Sequence, residues 1–240
     1  MEGSVFIGQK RVDKPGEKVS VDSPIEIKIN PLIYVSRGGL KLEKAIKSFS
    51  LNLRDKTAMD IGASTGGFTD CMLKKGAKKV YAVDVGYGQL DWRLRNDSRV
   101  IVKERTNIRY LKKEDICEVI DFICIDVSFI SLRLVLPVAK ELLSDKGQIV
   151  ALIKPQFEAG RDKVGKKGIV RDKNIHKEVV GSIIDFCEAI ELKVVDVDYS
   201  PITGTKGNIE FLAYITKDLE QKSIENKLIL KIIEQAHEYL

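Results

Sequence analysis

From residue 56 onward, short runs of valine and isoleucine alternate with stretches whose apolar residues recur every three or four positions. The first rhythm marks strands and the second amphipathic helices. It predicts strands at Thr57–Ile61, Val80–Val85, Val100–Lys103, Phe122–Val127, Gln148–Ile153, Lys193–Asp198 and Ile209–Thr216. It predicts helices at Phe68–Lys75, Gln89–Arg95, Ile130–Leu143, Asn174–Ile190 and Leu219–Leu240. Near-continuous Val/Ile runs suit a parallel sheet covered on both faces, and alternating β and α elements imply a doubly wound α/β fold. The last two strands are joined by Thr203-Gly204-Thr205-Lys206-Gly207 with no helix between them, which favours an antiparallel hairpin at one sheet edge. The expected architecture is a Rossmann-like seven-stranded sheet, mostly parallel, with one antiparallel edge strand.

Upstream, residues 36–50 read as a helix. Leu42, Ala45, Ile46 and Phe49 share one face, Ser36 is placed as an N-cap, and Lys41 lies at the margin of the apolar stripe. Residues 1–30 differ. Short β-like runs (Val5–Ile7, Lys18–Val21, Ile25–Ile29) are split by the turn signals Lys14-Pro15-Gly16 and Asp22-Ser23-Pro24. This segment is too short for a stable domain of its own. It reads as a terminal hairpin or the tail of a module. At the other end, Ile224, Leu228, Ile232, Ala236 and Tyr239 form a stripe on the last helix, expected to pack on the body or a partner rather than on a membrane surface.

Composition narrows the class. The chain has 240 residues, 44% hydrophobic and 31% charged, the balance of a soluble globular protein. No apolar run approaches the ~18 residues of a membrane span, and no N-terminal pattern marks a secretory signal. The four cysteines form no CxxC pair and only two histidines are present, so no metal site is expected and a reducing cytoplasm is the expected location. The cysteines have apolar neighbours that suggest core positions; His176 and His237 read as surface residues. The net charge is +5, from 40 basic and 35 acidic residues. Residues 160–177 alone carry seven basic residues (Arg161, Lys163, Lys166, Lys167, Arg171, Lys173, Lys177) against Asp162 and Asp172, also +5. With Gly160, Gly165 and Gly168 the segment reads as a mobile basic loop, suited to an anionic partner and equally to plain solvation.

Ligands of open α/β sheets bind outside the carboxyl ends of the strands. The first strand of the sheet ends in Asp60-Ile61-Gly62-Ala63-Ser64-Thr65-Gly66-Gly67-Phe68, and the next ends at Asp84, 22 residues after Gly62. Glycines admit a close ligand and the following helix offers free N–H groups. Ser64 replaces the second glycine of a dinucleotide fingerprint. Acid-x-Gly-x-x-x-Gly fits S-adenosylmethionine better, with Asp60 near its cationic methionine end and Asp84 on the ribose. A tight, ordinarily capped turn is the plainer alternative. Asn107, after the third strand, either faces the adenine or is a turn residue.

Asp126 and Lys154 end the fourth and fifth strands, at the same sheet edge as that loop. Glu210 and Lys41 add a second carboxylate and a second ammonium. A lysine flanked by another cation and partly desolvated can serve as base for a hydroxyl. Other methyl acceptors fit less well. Asp126-Val127-Ser128-Phe129 is not the Asp/Asn-Pro-Pro-aromatic run of amino-group methyltransferases, and no cysteine follows proline as a pyrimidine nucleophile commonly does.

Tyr34-Val35-Ser36-Arg37-Gly38-Gly39-Leu40-Lys41-Leu42, Asp60–Phe68, Val83-Asp84-Val85-Gly86, Asp126–Leu132, Ile153-Lys154-Pro155-Gln156-Phe157-Glu158 and Gly207-Asn208-Ile209-Glu210-Phe211 together resemble the TlyA family. That family lies within the FtsJ-like ribose methyltransferases and is often labelled "hemolysin". The resemblance covers about residues 30–217. It implies a Lys-Asp-Lys-Glu tetrad at Lys41, Asp126, Lys154 and Glu210, and 2′-O-methylation of cytidine in ribosomal RNA, with Lys154 deprotonating the hydroxyl. The candidate cofactor contacts are Asp60, Gly62, Ala63, Ser64, Gly66, Gly67, Phe68, Asp84, Asn107 and Asp126. Such proteins usually begin with a small RNA-binding domain, and residues 5–29 resemble only its C-terminal strands. The expected division is a remnant of that domain at 1–30, the methyltransferase domain at 31–217 and a terminal helix at 218–240.

The expected partners are ribosomal RNA or ribosomal subunits. Arg37, Lys44, Arg161, Lys166, Lys167 and Arg171 are the candidates for tracking phosphates, and the 2′-hydroxyl would distinguish RNA from DNA. Two competing expectations are a membrane-active cytolysin and a cofactor-binding module without turnover.

Overall fold

The computed structural model describes residues 5–8, 10–12, 17–27, 33–204 and 206–240. The chain forms two compact units, Met1–Ile33 and Tyr34–Leu240. In the first, β1 (Val5–Ile7), β2 (Lys10–Arg11) and β3 (Ile25–Ile27) pair antiparallel in the order β2-β1-β3. The run Lys18–Val21 is not a strand. Val19 and Val21 are exposed and gain no burial there, and the Ser23 N–H closes a turn on the Ser20 carbonyl at 3.0 Å. The expected turn at Lys14-Pro15-Gly16 and the end of the Ile25–Ile29 run lie outside the described residues.

The second unit begins with α1 (Gly38–Ser48), β4 (Thr57–Ile61), α2 (Gly67–Lys74), β5 (Lys79–Val83), α3 (Trp92–Arg95) and β6 (Val100–Lys103). It continues through β7 (Ile120–Ile125), α4 (Leu136–Leu142), β8 (Leu143–Ile153), α5 (Pro155–Glu158), α6 (Lys173–Ala189), β9 (Lys193–Tyr199), β10 (Phe211–Thr216) and α7 (Asn226–Tyr239). The seven strands are ordered β6-β5-β4-β7-β8-β10-β9. Strand order reverses between β4 and β7, which opens a ligand crevice at their carboxyl ends. Only β10 runs against the others; it is inserted between β8 and the edge strand β9 and pairs antiparallel with both.

Alternate residues of the central strands face opposite layers, the period-2 geometry of extended chain. Met59, Ile61, Ile123, Ile125, Ile149 and Ala151 pack in one core with residues of α4, α6 and α7. Ala58, Val80, Phe122, Cys124, Val150 and Leu152 pack in the other with residues of α1, α2 and α3. The central strands β4, β7 and β8 are therefore buried on both faces, which is why the sequence shows runs there instead of alternation, while the edge strand β9 buries only Val194 and Val197.

Several expectations change at element ends. Arg37, not Ser36, occupies the N-cap of α1, and it makes no side-chain capping bond. The stretch 130–143 splits into a 3₁₀ turn, Leu132–Leu134, and α4. The last helix starts at Asn226, because Ile224 N–H instead bonds the Val194 carbonyl of edge strand β9 at 3.2 Å. Its buried face is Ile229, Ile232, Ile233 and Ala236, whereas Leu228 and Tyr239 are exposed. A strict every-fourth-residue row advances about 400° per step and winds off any one face; the true stripe mixes steps of three and four. Among the described residues, no helix is long and apolar enough to cross a membrane. Cys117 is exposed, in the loop before β7, while Cys71, Cys124 and Cys187 are buried. His176 is fully buried and its Nδ1 lies 2.8 Å from Nε2 of His237, so the two rings join α6 to α7 and are not the surface residues expected.

Candidate active site

Three connections deliver side chains to one sheet edge. Asp126 follows β7, its N–H bonded to the Ile61 carbonyl at 2.9 Å. Lys154 follows β8. Glu210 precedes β10, and because β10 runs backwards, the start of this strand lies beside the end of β8, with Phe211 opposite Ile153. Lys41 reaches the same place from the first turn of α1.

The four groups form one cluster. Lys41 Nζ lies 2.7 Å from Glu210 Oε2 and 3.8 Å from Asp126 Oδ2. Lys154 Nζ lies 2.5 Å from Asp126 Oδ1 and donates to Ser128 Oγ at 3.0 Å. Asp126 is thus shared between two ammonium groups, and the set of two cations and two anions is neutral. Side-chain exposure rises from 3% at Glu210, through 10% at Lys154 and 11% at Lys41, to 20% at Asp126. Burial of Glu210 is tolerable because Lys41 is its hydrogen-bonded counter-ion. The arrangement can hold an amine at the mouth of a polar recess, aimed by a carboxylate and a hydroxyl. Ser128 is a member that residue types alone did not single out.

Two aromatic rings stand beside the amine. Phe129 is 91% exposed with a left-handed backbone (φ 64°), and its ring centroid lies 5.1 Å from that of Phe157. Phe157 is also 5.9 Å from Lys154 Nζ. A cleft of about 300 Å³ adjoins them, lined by Gln156, Phe157, Gly160, Arg161 and Val164.

The glycine-rich loop lies next to this cluster. Gly62 has φ +87°, and an added Cβ would meet the Asp126 carbonyl oxygen at 2.3 Å. At Gly67 the intruding atom would be Ser36 Oγ, also 2.3 Å away. These glycines are therefore required by the chain's own close approaches, before any ligand is considered. Asp84 accepts from Ser64 N–H at 2.8 Å and from Gly86 N–H at 2.7 Å, so it ties the two loops together and remains partly accessible. Each carboxylate oxygen retains a further lone pair, which suits a ribose diol.

Other expected cofactor residues are placed differently. Asp60 is 1% exposed and points into the protein, where Oδ2 accepts from Thr69 N–H at 2.9 Å and Thr69 Oγ1 at 2.7 Å. Burial raises its pKa to about 7, opposed by the Thr69 bonds and assisted by the charge of Asp126. It anchors the start of α2 from below; a direct contact with a ligand's ammonium is not available to it here. Ala63 and Phe68 are also core residues, leaving only their backbone for a ligand. Gly66 is buried, and Ser64 is exposed. Asn107 Oδ1 accepts from Arg109 N–H at 3.1 Å and caps a 3₁₀ turn.

Among the phosphate candidates, Arg37, Arg161, Lys166, Lys167 and Arg171 are exposed. Lys44 is not free: it donates to the Tyr199 carbonyl at 2.6 Å, pairs with Asp198 at 3.1 Å and sits 3.3 Å from the Tyr199 ring centre. The basic stretch is loop only as far as Asp172, whose side chain caps α6 through Asn174 N–H; Lys163 pairs with Glu178. Asn208, 3% exposed, clamps the loop by accepting from Val170 N–H at 3.0 Å and donating to the Gly168 carbonyl at 2.9 Å. The basic loop is thereby fixed two residues from Glu210. Composition showed its charge but not its anchor.

A doubly wound sheet with this Lys-Asp-Lys-Glu cluster at its ligand edge defines a methyltransferase of the FtsJ-like class. The FtsJ-like methyltransferase family matches residues 34–217, and the chain belongs to it. Over its whole length it is 52% identical to a Bacillus subtilis protein named as a candidate rRNA methyltransferase, YqxC, of which it covers 87%. It is 40% identical to the 16S/23S rRNA (cytidine-2′-O)-methyltransferase TlyA of Mycobacterium tuberculosis, across 87% of this chain and 80% of that one. The structure superimposes on a candidate hemolysin of Streptococcus thermophilus with a TM-score of 0.87 at 48% identity, covering 99% of this chain and 87% of that one.

Proposed function

We propose that the chain transfers a methyl group from S-adenosylmethionine to a ribose 2′-hydroxyl of ribosomal RNA, with cytidine the expected nucleoside. The observation that carries this reading is the neutral cluster of Lys41, Asp126, Lys154 and Glu210, with Lys154 held between Asp126 and Ser128 at the carboxyl edge of the sheet. The relatives named for rRNA and cytidine methylation support the choice of acceptor.

Bound S-adenosylmethionine supplies an electrophilic methyl carried on a sulfonium. The donor set fits it: Asp84 offers acceptors for a diol, and Asp126 is a partly exposed anion next to the site of transfer. With its amine in the unprotonated form, Lys154 would accept the proton of the 2′-hydroxyl as that oxygen takes the methyl group, and Asp126 would hold the ammonium so formed. Asp126 and Ser128 orient the amine, and Lys41 with Glu210 fixes Asp126 from the other side. In-line displacement depends mainly on such positioning. Phe129 and Phe157 offer faces for bases, whose stacking is sequence-tolerant, and Arg37, Arg161, Lys166, Lys167 and Arg171 offer charge for phosphates.

Calorimetry with S-adenosylmethionine and its demethylated product, then a labelled-methyl assay on ribosomal subunits, tests the reading. Lys154→Ala should bind the cofactor like the wild type and lose about 10²- to 10⁴-fold in transfer rate. Normal transfer by that variant would remove Lys154 as the base. Lysis of erythrocytes by purified protein that binds no cofactor would overturn the enzymatic reading as a whole.

A further inference from the structure

Two segments carry the working groups of the cluster. One, residues 126–132, bears Asp126, Ser128 and Phe129; the other, residues 154–158, bears Lys154 and Phe157. They touch at three points. Lys154 meets Asp126 and Ser128, and the Phe129 and Phe157 rings meet at 5.1 Å. The third point is Glu158, at the end of α5, which accepts from Ser131 Oγ at 2.6 Å and from Leu132 N–H at 2.8 Å. Ser131 Oγ in turn accepts from Arg133 N–H at 3.1 Å, capping the 3₁₀ turn.

The three contacts differ in kind. The first two involve groups that a substrate must engage, so they have to give way during a cycle. The Glu158 contact involves no such group. It is bidentate and charge-assisted, the stronger sort of hydrogen bond, and its carboxylate is substantially withdrawn from water, where such bonds are less screened. Between the first contact and the third lies Phe129, a bulky exposed residue in a left-handed backbone conformation. Such strain persists only where the surroundings hold it, and the Glu158 bonds begin two residues further on.

We propose that Glu158 is a positioning residue for methyl transfer: it straps the Asp126–Ser128–Phe129 segment to the turn carrying Lys154 and so keeps the Lys154 amine between Asp126 and Ser128. The proposal rests on Lys154 being the base. Glu158 bonds Ser131 and Leu132 and none of the four charged residues of the cluster. Without it, the Phe129 loop relaxes and the amine loses its aim, while the cofactor loop, tied separately through Asp84, is left intact.

The test uses the full chain and ribosomal subunits as substrate. Glu158→Ala should keep cofactor affinity, lower kcat by about tenfold to about a hundredfold as expected for a misplaced catalytic group, and change KM for subunits much less. Glu158→Gln, which can still span both partners, should recover part of the rate. Ser128→Ala combined with Glu158→Ala should lose little more than the worse single variant, because both act on the same amine. Amide hydrogen exchange provides a readout independent of turnover: residues 128–132 should lose protection in Glu158→Ala while the 62–67 loop keeps it. Wild-type kcat in Glu158→Ala, fully multiplicative effects in the double variant, or unchanged exchange at 128–132 would each overturn the strap. An active Lys154→Ala would instead sink the reading beneath it, a failure distinct from that of the strap.

Discussion

Gly62→Ala puts a number on how tightly the cofactor loop is locked to the catalytic cluster. The new Cβ would lie 2.3 Å from the Asp126 carbonyl oxygen and 2.9 Å from its carbon. Both are backbone atoms, so no side chain can swing away. Asp126 N–H is at the same time bonded to the Ile61 carbonyl, so relief requires separating the ends of β4 and β7. The backbone at Gly62 also has φ +87°, a conformation costing an L-residue about 1–2 kcal/mol. Overpacking adds about 1–3 kcal/mol. The sum, about 2–5 kcal/mol, is a large share of the ~5–15 kcal/mol that holds a typical domain together. At ~2–4 °C per kcal/mol for a domain of this size, the melting temperature should fall by roughly 4–20 °C. Asp126 carries the carboxylate that aims Lys154, so the surviving folded fraction should also transfer methyl poorly, by about 10²-fold. Gly207→Ala is the control: Gly207 has φ +90° with nothing within 4 Å of an added Cβ, so it carries the conformational cost alone. Calorimetric melting of both variants, with transfer measured below the transition, separates strain from collision. A Gly62→Ala protein that melts no lower than Gly207→Ala and transfers normally would refute the argument.

Further outcomes follow from buried titrating groups and exposed charge. Asp60 has its pKa raised from 3.8 to about 7 by burial, so the folded state holds a proton that the unfolded chain has released; stability should fall as pH rises from about 4 to about 7, and urea titrations should show that slope flattened in Asp60→Asn. His176 behaves oppositely, its pKa lowered from 6.5 to about 4 by burial and the neighbouring His237 ring; its contribution should be lost as pH falls from about 6.5 to about 4, and His176→Phe should remove that acid sensitivity. Reversing Lys166, Lys167 and Arg171 to glutamate should weaken RNA binding and flatten its dependence on salt, by about 0.7–0.9 in log–log slope for each phosphate that is no longer neutralised. An unchanged slope in filter binding across a salt series would take this loop out of the interface.

The periodicity of the chain was enough for the sheet, because strands buried on both faces write themselves as Val/Ile runs: β4 and β6 match the expected ranges to the residue. It was also enough for the residue types at the ligand edge, since Asp84, Asp126 and Lys154 each follow directly on the end of a parallel strand. Helix ends were less legible. The start of α7 depends on a bond from Ile224 to the edge of β9, a partner that local propensity does not contain.

The candidate site shows the same division. Its chemical character was written in the amino-acid order, as charged residues beside a glycine-rich turn and a basic stretch after β8. Which charges are free and which are spent was decided by packing. Lys44 faces Asp198 and Tyr199 only because β9 ends beside α1, and Asp60 is turned inward by Thr69 at the start of α2. Ser128, Asn208 and Glu158 carry little signal in their own residue types; their partners lie 26 to 40 positions away along the chain. Glu210 is the plainest case. It stands 169 residues from Lys41 and reaches it because β10 enters the sheet backwards, which brings the start of that strand to the edge where the others finish. Hydrophobic rhythm records that a segment is buried, but strand direction and neighbour are settled by which faces close on one another. For that reason the hydrophobic rhythm placed the elements, whereas the meeting of the four charges was expected only through the family resemblance and is explained only by strand direction.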